Sequence, residues 1–545
     1  IRDRLRSRGL GDVYKRQVLC LGANRSVKNM AKTDSRTSKS IKNSSVALFF
    51  YFINLILQFF SRKIFLDYLG AEVLGLNTTA QNLLGVLNLA ELGIGTAVAY
   101  SLYKPLFEGN RQAINDIVSI QGWLYRRIAF IIIAGAVVLM CFFPLLFAKA
   151  QVPLWYAYGS FIALLIAALL GYFVNYRQVV LSADQKEYKI TQSVQGGKIT
   201  KVILQLLAIC YFQDGYVWWM ILEVLMAVAT SYVLDRSIRR EYPWLRSQVA
   251  DGKRLKDAYP EIVKKTKQLF FHKIGVFVLT QTSPLVIYAY ASLTLVAVYG
   301  NYMLITLGVT ALMNAILNGL NAGIGNLVAG NDKRHIKNVF WEITLLRMWL
   351  ASIVCFGLYI LGDSFVTLWV GAEYILPPVA FVILIINTFI SLTRTNDSFI
   401  AAYGLFQDVW APVAEASLNL GFSILLGHFF GLDGILAGVM ISLLVIVCGW
   451  KPYFLYHNGF RESTWEYVRR YSKYVVIMIV LFMFCMKISR VYFTYSVNSY
   501  WDWSVYGLKS VTLYVLLSTF VLCLTDTYAI NLFKRVCCLI INLRK

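Results

Sequence analysis

The chain has 545 residues, of which 58% are apolar and only 15% are charged, and its mean hydropathy is +0.59. A soluble protein of this length needs more charge to cover its surface, so the composition excludes a water-soluble enzyme or binding module and predicts an integral membrane protein. If about 14 helices of roughly 22 residues each cross the bilayer, too little sequence remains for a large soluble domain.

The charge balance and the missing motifs narrow the function further. The 52 Lys and Arg exceed the 29 Asp and Glu, which gives a net charge of +23. In a membrane protein this excess belongs to the cytoplasmic loops, so no nucleic acid partner is expected. The nine cysteines show no CxxC or CxxH spacing and no GxxxxGK[ST] loop occurs, so no metal, cofactor or ATP hydrolysis is expected. Active transport would then need an ion gradient or a partner.

Both ends of the chain are predicted to lie outside the membrane. Residues 1–17, IRDRLRSRGLGDVYKRQ, match no signal peptide and differ in style from the rest of the chain, so we interpret them as a library scar outside the fold. Residues 18–44 form a basic tail rich in Ser, Asn and Lys, which is expected to be disordered. Because Lys and Arg concentrate in this tail, in alternate loops and in the C-terminal tail, both termini are predicted to be cytoplasmic.

Apolar stretches bounded by charge, Gly or Pro predict an all-α fold of about 14 transmembrane helices. Residues 45–235 form an N-lobe of six spans and residues 269–456 a C-lobe of six, separated by a polar cytoplasmic linker, 236–268. Residues 457–545 hold two extra spans and a basic C-terminal tail. The predicted spans are 45–66, 76–102, 128–148, 154–176, 195–213, 216–235, 269–291, 294–328, 343–361, 377–400, 411–430, 434–456, 474–490 and 507–525.

A weak internal repeat relates the two lobes. The sequence ELGIGTAVAYSLYKPLFEGNRQAINDIV from Glu91 and the sequence NAGIGNLVAGNDKRHIKNVF from Asn321 both place GIG before a GN turn and a basic amphipathic stretch. Chance similarity between apolar helices is the alternative. A duplication with an even number of spans in each half predicts two pseudo-symmetric lobes related by an axis along the membrane normal, with a cavity between them.

Ionisable groups within the N-lobe spans are costly and therefore mark candidate sites. Asn54, Gln58 and Arg62 share one helical face, which would be wet or paired with another helix, although Arg62 could instead snorkel to the outer interface. Glu91 lies inside the second span, where a structural pairing and a role in substrate or proton binding both remain open. Lys198 and Lys201 share a face of the fifth span, either in a cavity or at its cytoplasmic end.

The C-lobe spans carry a second set of charges. Lys273 opens the seventh span, where anchoring at the cytoplasmic face is the alternative to binding. Arg394 and Asp397 lie at i and i+3 near the end of the tenth span, as a structural ion pair or a binding pair, and Glu415 lies in the eleventh. Together with the basic surplus, these residues predict a cationic cavity suited to an anionic group such as a diphosphate.

The run YLGAEVLGLNTTAQNLLGVLNLAELGIGTAVAYSLYKPLFEGN, from Tyr68 to Asn110, resembles the polysaccharide transporter (Wzx-type flippase) family of the multidrug/oligosaccharidyl-lipid/polysaccharide exporter superfamily. Further matches are LSADQKEYK at 181–189, REYPWL at 240–245 and HKIGVFVLTQTS at 272–283. The resemblance covers roughly residues 40–460. Members of that family commonly have an Asp where Ser283 stands, so any role of that acid is missing here.

The resemblance implies two six-helix lobes that form a V, alternating access, and export of an undecaprenyl-diphosphate-linked oligosaccharide across the bacterial inner membrane for O-antigen, capsule or exopolysaccharide synthesis. It also implies polymerases and glycosyltransferases as partners and no enzymatic activity. By position, Arg62, Lys198, Lys201, Lys273 and Arg394 are candidates for binding the diphosphate or sugar. Glu91, Asp397 and Glu415 are candidates for coupling to H+ or Na+. Of these candidates, only Glu91 lies within the run from Tyr68 to Asn110.

Two other functions remain open from the sequence. A cation-coupled drug or metabolite exporter of the same superfamily would favour a cavity of negative or aromatic character, which the basic surplus disfavours. A membrane-embedded glycan polymerase or ligase would need an extended outer loop with catalytic groups. The longest predicted outer segment, about Ser489 to Tyr506, is short and poor in such groups.

Overall fold

The computed structural model describes residues 7–91, 94–148, 150–262, 264, 266, 283–329, 332–405, 410–493 and 498–531. Within these ranges the chain is helical and contains no strand, which confirms the predicted all-α fold. The long helices, in chain order, are α1 Ser7–Leu87, α2 Ile94–Glu108, α3 Arg111–Cys141, α4 Leu154–Phe173, α5 Glu187–Tyr211, α6 Gly215–Glu241, α7 Leu293–Ala329, α8 Lys333–Trp369, α9 Pro378–Leu392, α10 Thr395–Ala402, α11 Trp410–Leu443, α12 Thr464–Tyr492 and α13 Tyr500–Thr525.

The described residues contain most of the fourteen predicted membrane crossings. In the described residues, 10 helices are long and apolar enough to cross a bilayer. Two of them, Ser45–Leu87 with 43 residues and Trp410–Phe460 with 51 residues, are long enough for two crossings each. Helix α5 is long enough to cross the bilayer, but it carries too many polar residues to be identified as a membrane span from its hydropathy alone. The predicted span 269–291 lies largely outside the described residues.

Two glycines divide these double-length helices. Gly70 has a φ of 80° inside α1, and Gly431 has a φ of 57° inside α11. Side chains with a Cβ rarely adopt such angles, so glycine allows the chain to turn between consecutive spans. Both breaks fall in the predicted gaps 66–76 and 430–434, which confirms these two boundaries.

The N-terminal region differs from the expectation. Residues 18–44, predicted to be disordered, are helical and belong to the part of Ser7–Leu87 that precedes the break at Gly70. Because extending an existing helix costs much less than starting one, the apolar first span can carry the helix back into polar sequence. The predicted second span is also not one helix. It is interrupted by a tight 3-10 turn, Asn88–Glu91, before α2 begins at Ile94.

The described helices divide into two compact units. The first contains residues 1–61, 93–131 and 165–267, and the second contains residues 62–92, 132–164 and 268–545. The predicted lobe boundaries therefore stay predictions. In the first unit, α5 and α6 form a closely packed hairpin, because a Cβ at Gly197 would lie 2.1 Å from the Thr230 hydroxyl oxygen. Glycine is required there for the two helices to approach.

In the second unit, the last two helices pack on α8. Trp349 donates its indole N–H to the Ser518 hydroxyl at 3.1 Å, and Phe356 stacks on Tyr514 with ring centroids 4.4 Å apart. A buried aromatic cluster that includes Trp341 and Tyr474 joins α8 to α12. Helices α12 and α13 are therefore an integral part of this unit's packing.

The hairpin around Gly431 is held by close backbone contact. A Cβ at Gly434 would lie 2.1 Å from the Leu426 carbonyl oxygen, and one at Gly438 would lie 2.3 Å from the Ser423 amide nitrogen. Ser423 also donates its hydroxyl to the Ile435 carbonyl at 2.9 Å. The GILAG sequence is thus a GxxxG packing motif within one chain. It fixes the position of Glu415 and Asn419 on the first arm of the hairpin.

Replacing Gly438 by Ala should destabilise the protein by about 1–3 kcal/mol, because the new methyl group meets backbone atoms that cannot move aside. The apparent melting temperature of the detergent-purified protein measures this. Gly421→Ala on the same helix is the matched control, since nothing lies within 4 Å of a Cβ there. Equal melting of both variants would contradict the close packing of the hairpin.

Candidate functional site

A polar cavity of about 680 Å³ lies within the second unit. Helices α7, α9, α10 and α11 line it together with the segment that continues from α11. Most of its wall is apolar, but its polar lining contains charged and amide side chains: Asn387, Arg394, Asp397, Glu415, Asn419 and Lys451. The cavity brings together three residues predicted from the sequence, namely Arg394, Asp397 and Glu415.

Arg394 is the centre of the charged network. It lies in the break between α9 and α10, where the backbone leaves the helical conformation at Arg394 with a ψ of 53°. Its Nε donates to Asp397 Oδ2 at 2.9 Å, and its Nη2 donates to both Glu415 oxygens at 2.9 and 2.8 Å. The guanidinium thereby pairs with two carboxylates, of which Glu415 is only 2% exposed.

Lys451 faces the same acids from the other side of the cavity. Its Nζ lies 3.8 Å from Asp397 Oδ1, and that oxygen accepts no hydrogen bond from the described residues. Lys451 comes directly after a π-helical segment, Leu444–Trp450, and precedes Pro452. Because proline removes an amide donor and crowds the preceding turn, the wider π-helical turn accommodates it and sets the direction in which Lys451 points.

Arg347 on α8 adds a third cation beside the cavity. Its Nη1 donates to the Arg394 carbonyl at 3.3 Å and its Nη2 to the Ser398 hydroxyl at 3.1 Å. Its side chain is buried, and its Nε has no hydrogen-bond partner among the described residues. Three cations therefore surround two carboxylates, so the group carries one surplus positive charge when every member is ionised.

Arg62 lies elsewhere in the second unit and is engaged by α7. Its Nε donates to the Asn301 side-chain oxygen, and its Nη2 donates to the Ala297 carbonyl at 2.8 Å. A Cβ at Gly300 would lie 2.4 Å from Nη2, so glycine provides the space for the guanidinium. Of the two sequence alternatives, the structure places Arg62 against another helix. Its predicted contact with substrate stays a prediction.

Lys198 and Lys201 lie on α5 in the first unit and have different surroundings. Lys201 Nζ lies 2.6 Å from Glu223 Oε1, and Gln205 donates to Glu223 Oε2 at 3.0 Å. Glu223 on α6 is buried, so Lys201 is part of a structural pair. Lys198 is exposed, and its ammonium group is not within ion-pair distance of Glu223. It is the better placed of the two to meet a ligand.

The remaining two predicted residues are described only in part. Glu91 ends the 3-10 turn that interrupts the second span, at a half-buried position. A broken helix within a span leaves backbone groups available, as at many transport sites. Lys273 lies outside the described residues. Roles for both stay predictions.

The sequence blocks at 181–189 and 240–245 meet in the first unit. Lys186 Nζ lies 2.5 Å from Asp184 and 2.7 Å from Glu241, and Tyr242 donates its hydroxyl to Asp184 at 2.8 Å. Burial, together with this hydrogen bond to Asp184, raises the pKa of Tyr242. The network ties the turn before α5 to the end of α6, so these two blocks serve the fold of this unit.

Sequence reasoning misses Lys451 and Asn387 as members of the cavity lining, and Arg347 as a cation beside it. By position, Lys451 lies near the cytoplasmic end of the predicted span 434–456, and Arg347 lies early in the span 343–361, where anchoring at that face is the alternative. Asn387 is 7% exposed, and its side-chain oxygen has no hydrogen-bond partner in the described ranges. A buried Asn in an apolar span is the available signal for it. The π-helical register that orients Lys451 has no comparable sequence signal.

At the sequence level the chain matches no known protein-family profile and no curated protein. In three dimensions it is similar to the lipid II flippase MurJ in an inward closed conformation. The TM-score is 0.60 at 12% identity, over 88% of this chain and 99% of that one. It is also similar to an inward-facing multidrug resistance MATE family transporter of the MOP superfamily. There the TM-score is 0.54 at 13% identity, over 73% of this chain and 94% of that one.

The chain has the fold of the MOP superfamily. The likeness supports the multi-pass, all-α membrane fold expected from the sequence. The two similar structures are described as a flippase and a transporter. At these identities the likeness shows the fold and leaves the substrate to be argued from the cavity.

Replacing Lys201 by Ala should lower the apparent melting temperature, because it leaves the buried Glu223 carboxylate without its ammonium partner, at a cost of about 3 kcal/mol. Lys198→Ala is the matched control one turn away and should melt like the unaltered protein. Thermal unfolding in detergent measures both. Equal destabilisation would show that Lys198 also has a structural role.

Replacing Arg394 by Ala should destabilise the second unit more strongly than replacing it by Lys, because only the guanidinium fork can serve Glu415 and Asp397 together. We expect a loss of about 3–5 kcal/mol for the Ala variant. Thermal unfolding is again the measurement. The double variant Arg394→Ala with Glu415→Ala should recover part of the loss, because it removes a buried unpaired charge. No recovery would contradict the buried pairing.

Proposed function

We propose that the protein moves an undecaprenyl-diphosphate-linked oligosaccharide across the bacterial inner membrane by alternating access, during synthesis of a cell-surface polysaccharide such as O-antigen, capsule or exopolysaccharide. The observation that carries this proposal is the surplus cation in the charged group at the cavity of the second unit. Arg394 and Lys451 in the mostly apolar lining, together with Arg347 buried beside it, outnumber Asp397 and Glu415. A cavity of that charge attracts an anion, and a diphosphate is an anion that guanidinium and ammonium groups bind well.

The fold supports a flippase on independent grounds. The lipid II flippase MurJ is similar over 99% of its length, and the likeness covers 88% of this chain. The MATE transporter matches less of this chain, 73%. The first similarity therefore accounts for more of the chain, and a lipid-linked substrate class follows from it as part of the proposal.

Within this proposal, the predicted residues fall into those that would bind the diphosphate and those that would bind the coupling ion. Arg394 and Lys451 would meet the diphosphate in the second unit, and Lys198 on the first unit remains a proposed contributor to substrate binding. Asp397 and Glu415 would take up the coupling ion, H+ or Na+, because they hold Arg394 and are the acids of the cavity. Arg62, Lys201, Lys273 and Glu91 remain proposed contributors to substrate binding or coupling.

The second candidate function is a drug or metabolite exporter, which the likeness to the MATE transporter favours. A cationic drug would need an excess of acids over bases in its cavity. The lining of the described cavity has two acids and two bases, and Arg347 is a third base beside it. It has no excess of acids, so we rank this function second. A glycan polymerase or ligase has no support from the similar structures. Polymerases and glycosyltransferases are instead proposed as partners that supply and consume the lipid-linked glycan.

Purified protein in proteoliposomes should move a fluorescent undecaprenyl-diphosphate oligosaccharide from one leaflet to the other, because its cavity binds the diphosphate. Protection of the label from a membrane-impermeant quencher measures the transfer. Lys451→Gln should reduce the rate about tenfold or more, since it removes one cation at the cost of little volume. Lys451→Arg keeps the charge and should retain most of the activity.

The controls distinguish the two transport functions. Lys104→Gln removes an exposed cation on α2 and should leave transfer unchanged. Transport of cationic drugs by the same proteoliposomes, with no transfer of the lipid-linked glycan, would overturn the proposal in favour of an exporter. Full activity of Lys451→Gln would remove the cavity of the second unit from the substrate path.

A further inference from the structure

The acids and bases of this cavity are paired with each other. An incoming anion can bind a base only if it takes over hydrogen bonds that the base makes to an acid. Arg394 donates to both oxygens of Glu415 and to Asp397, so its donors are directed at protein carboxylates. An incoming anion that takes over part of the guanidinium leaves a carboxylate unpaired. In a buried site an unpaired carboxylate beside a second anion is strongly destabilised, and binding a proton removes that penalty.

We propose that this cavity binds an anion and a proton together, with Glu415 and Asp397 accepting the proton as the anion displaces them from Arg394. The inference rests on the proposed function and deepens it, because it fixes the sign of the coupling. The anion and the proton increase each other's affinity, so they occupy the same conformation of the protein. An exchange mechanism would require the opposite sign, with proton binding expelling the anion.

The charge balance of the cavity supports this sign. With both acids ionised, the group formed by Arg394 and Lys451 in the lining and Arg347 beside it has a surplus of one positive charge. Each proton bound raises this surplus by one, so full protonation leaves the group with three uncompensated cations. A diphosphate carries two or more negative charges and fits the protonated cavity better than the ionised one.

Two buried polar atoms at the cavity have no hydrogen-bond partner among the described residues, so the charged network can accept further hydrogen bonds. Asp397 Oδ1 is buried without a hydrogen-bond donor in the described residues, and Lys451 lies 3.8 Å from it. Asn387 lines the cavity, is 7% exposed, and has an unpaired side-chain oxygen within the same ranges. That oxygen can accept a hydrogen bond from a protonated acid or a sugar hydroxyl. The site is thus built for a further group.

Other titratable groups around the two acids do not compete as proton acceptors near neutral pH. Arginine and lysine are already protonated, and the ordinary thiol and phenol groups stay neutral below about pH 8. The groups that face the acids from each neighbouring element, or line the cavity with them, are Arg347, Arg394, Lys451, Tyr299, Cys448 and Tyr471. The proton therefore goes to Glu415 or Asp397.

The test is titration calorimetry of the purified full-length protein with sulfate and with inorganic pyrophosphate, from about pH 8 to about pH 6, in two buffers of different ionisation enthalpy. The charge of sulfate is fixed over this range, so protons taken up with it belong to the protein. We expect affinity for sulfate to rise as the pH falls, by up to about tenfold per pH unit where one proton is taken up.

Variants locate the proton acceptor. Glu415→Gln mimics the protonated acid and should bind sulfate more tightly at the higher pH, with a weaker pH dependence and less proton uptake. Asp397→Asn should act in the same direction, which keeps the test valid if one variant fails to fold. Ser283→Asp adds a carboxylate to the cavity lining and should weaken binding. Glu373→Gln, at an exposed loop position, is the control and should change nothing.

The outcomes separate this inference from the proposed function. Proton uptake that is lost in Glu415→Gln or Asp397→Asn supports it. Binding without proton uptake, or with proton release, overturns co-binding and leaves an anion transporter. Failure of sulfate and pyrophosphate to bind, while the proteoliposomes still transfer the lipid-linked glycan, overturns this site alone. If the proteoliposomes do not transfer the glycan but anion binding is still linked to proton uptake, the proposed substrate is wrong and the co-binding of anion and proton stands.

Discussion

The free-energy cost of removing charged side chains from water determines how the helices around the cavity of the second unit are placed. Arg394 and Glu415 lie among apolar helices, where an unpaired charge is expensive, so each has to hold the other. This requirement fixes the break between α9 and α10, because Arg394 reaches Glu415 on α11 from that break. Hydrophobic burial gives little direction to helices in a bilayer, so directional contacts of this kind determine how they are placed.

Close backbone packing supplies the second constraint. The hairpin around Gly431 depends on Gly434 and Gly438, whose missing side chains allow the two arms to touch. Once the arms are fixed, Glu415 and Asn419 face the cavity, and the π-helical turn beyond the hairpin places Lys451. The charged site is therefore carried by a rigid scaffold of glycine contacts. Changes in the hairpin should affect the site even where they touch no charge.

The sequence predicts the parts of this structure that composition and periodicity control. Apolar stretches are long and strongly marked in a membrane protein, so an all-α fold and the breaks near Gly70 and Gly431 can be read from them. Arg394, Asp397 and Glu415 can be singled out because charge within a span is rare. Their mutual contact cannot be predicted, since Arg394 and Glu415 lie in different helices whose packing the sequence does not state.

Lys451 and Lys201 show two ways in which position along a helix fails to predict the surroundings of a side chain. A lysine at the end of a span usually faces water, which predicts a loop position for Lys451, yet a π-helical turn directs it toward Asp397. The spacing of Lys198 and Lys201 predicts that they share a face, either in a cavity or at the cytoplasmic end of the span, yet Lys201 pairs with the buried Glu223. Spacing along a helix identifies which side chains share a face. It does not identify what that face meets, and a partner on another helix decides the role.

Ser283 connects the charge of the cavity to its specificity. It is buried in the lining, so its identity changes the balance of charge without changing the scaffold. The Asp that the resembling family commonly carries at this position would cancel the surplus cation, whereas a neutral hydroxyl preserves it. In a medium of low dielectric constant, one charge strongly affects which substrate charge the site prefers. A single position can therefore shift this scaffold between anionic and neutral substrates.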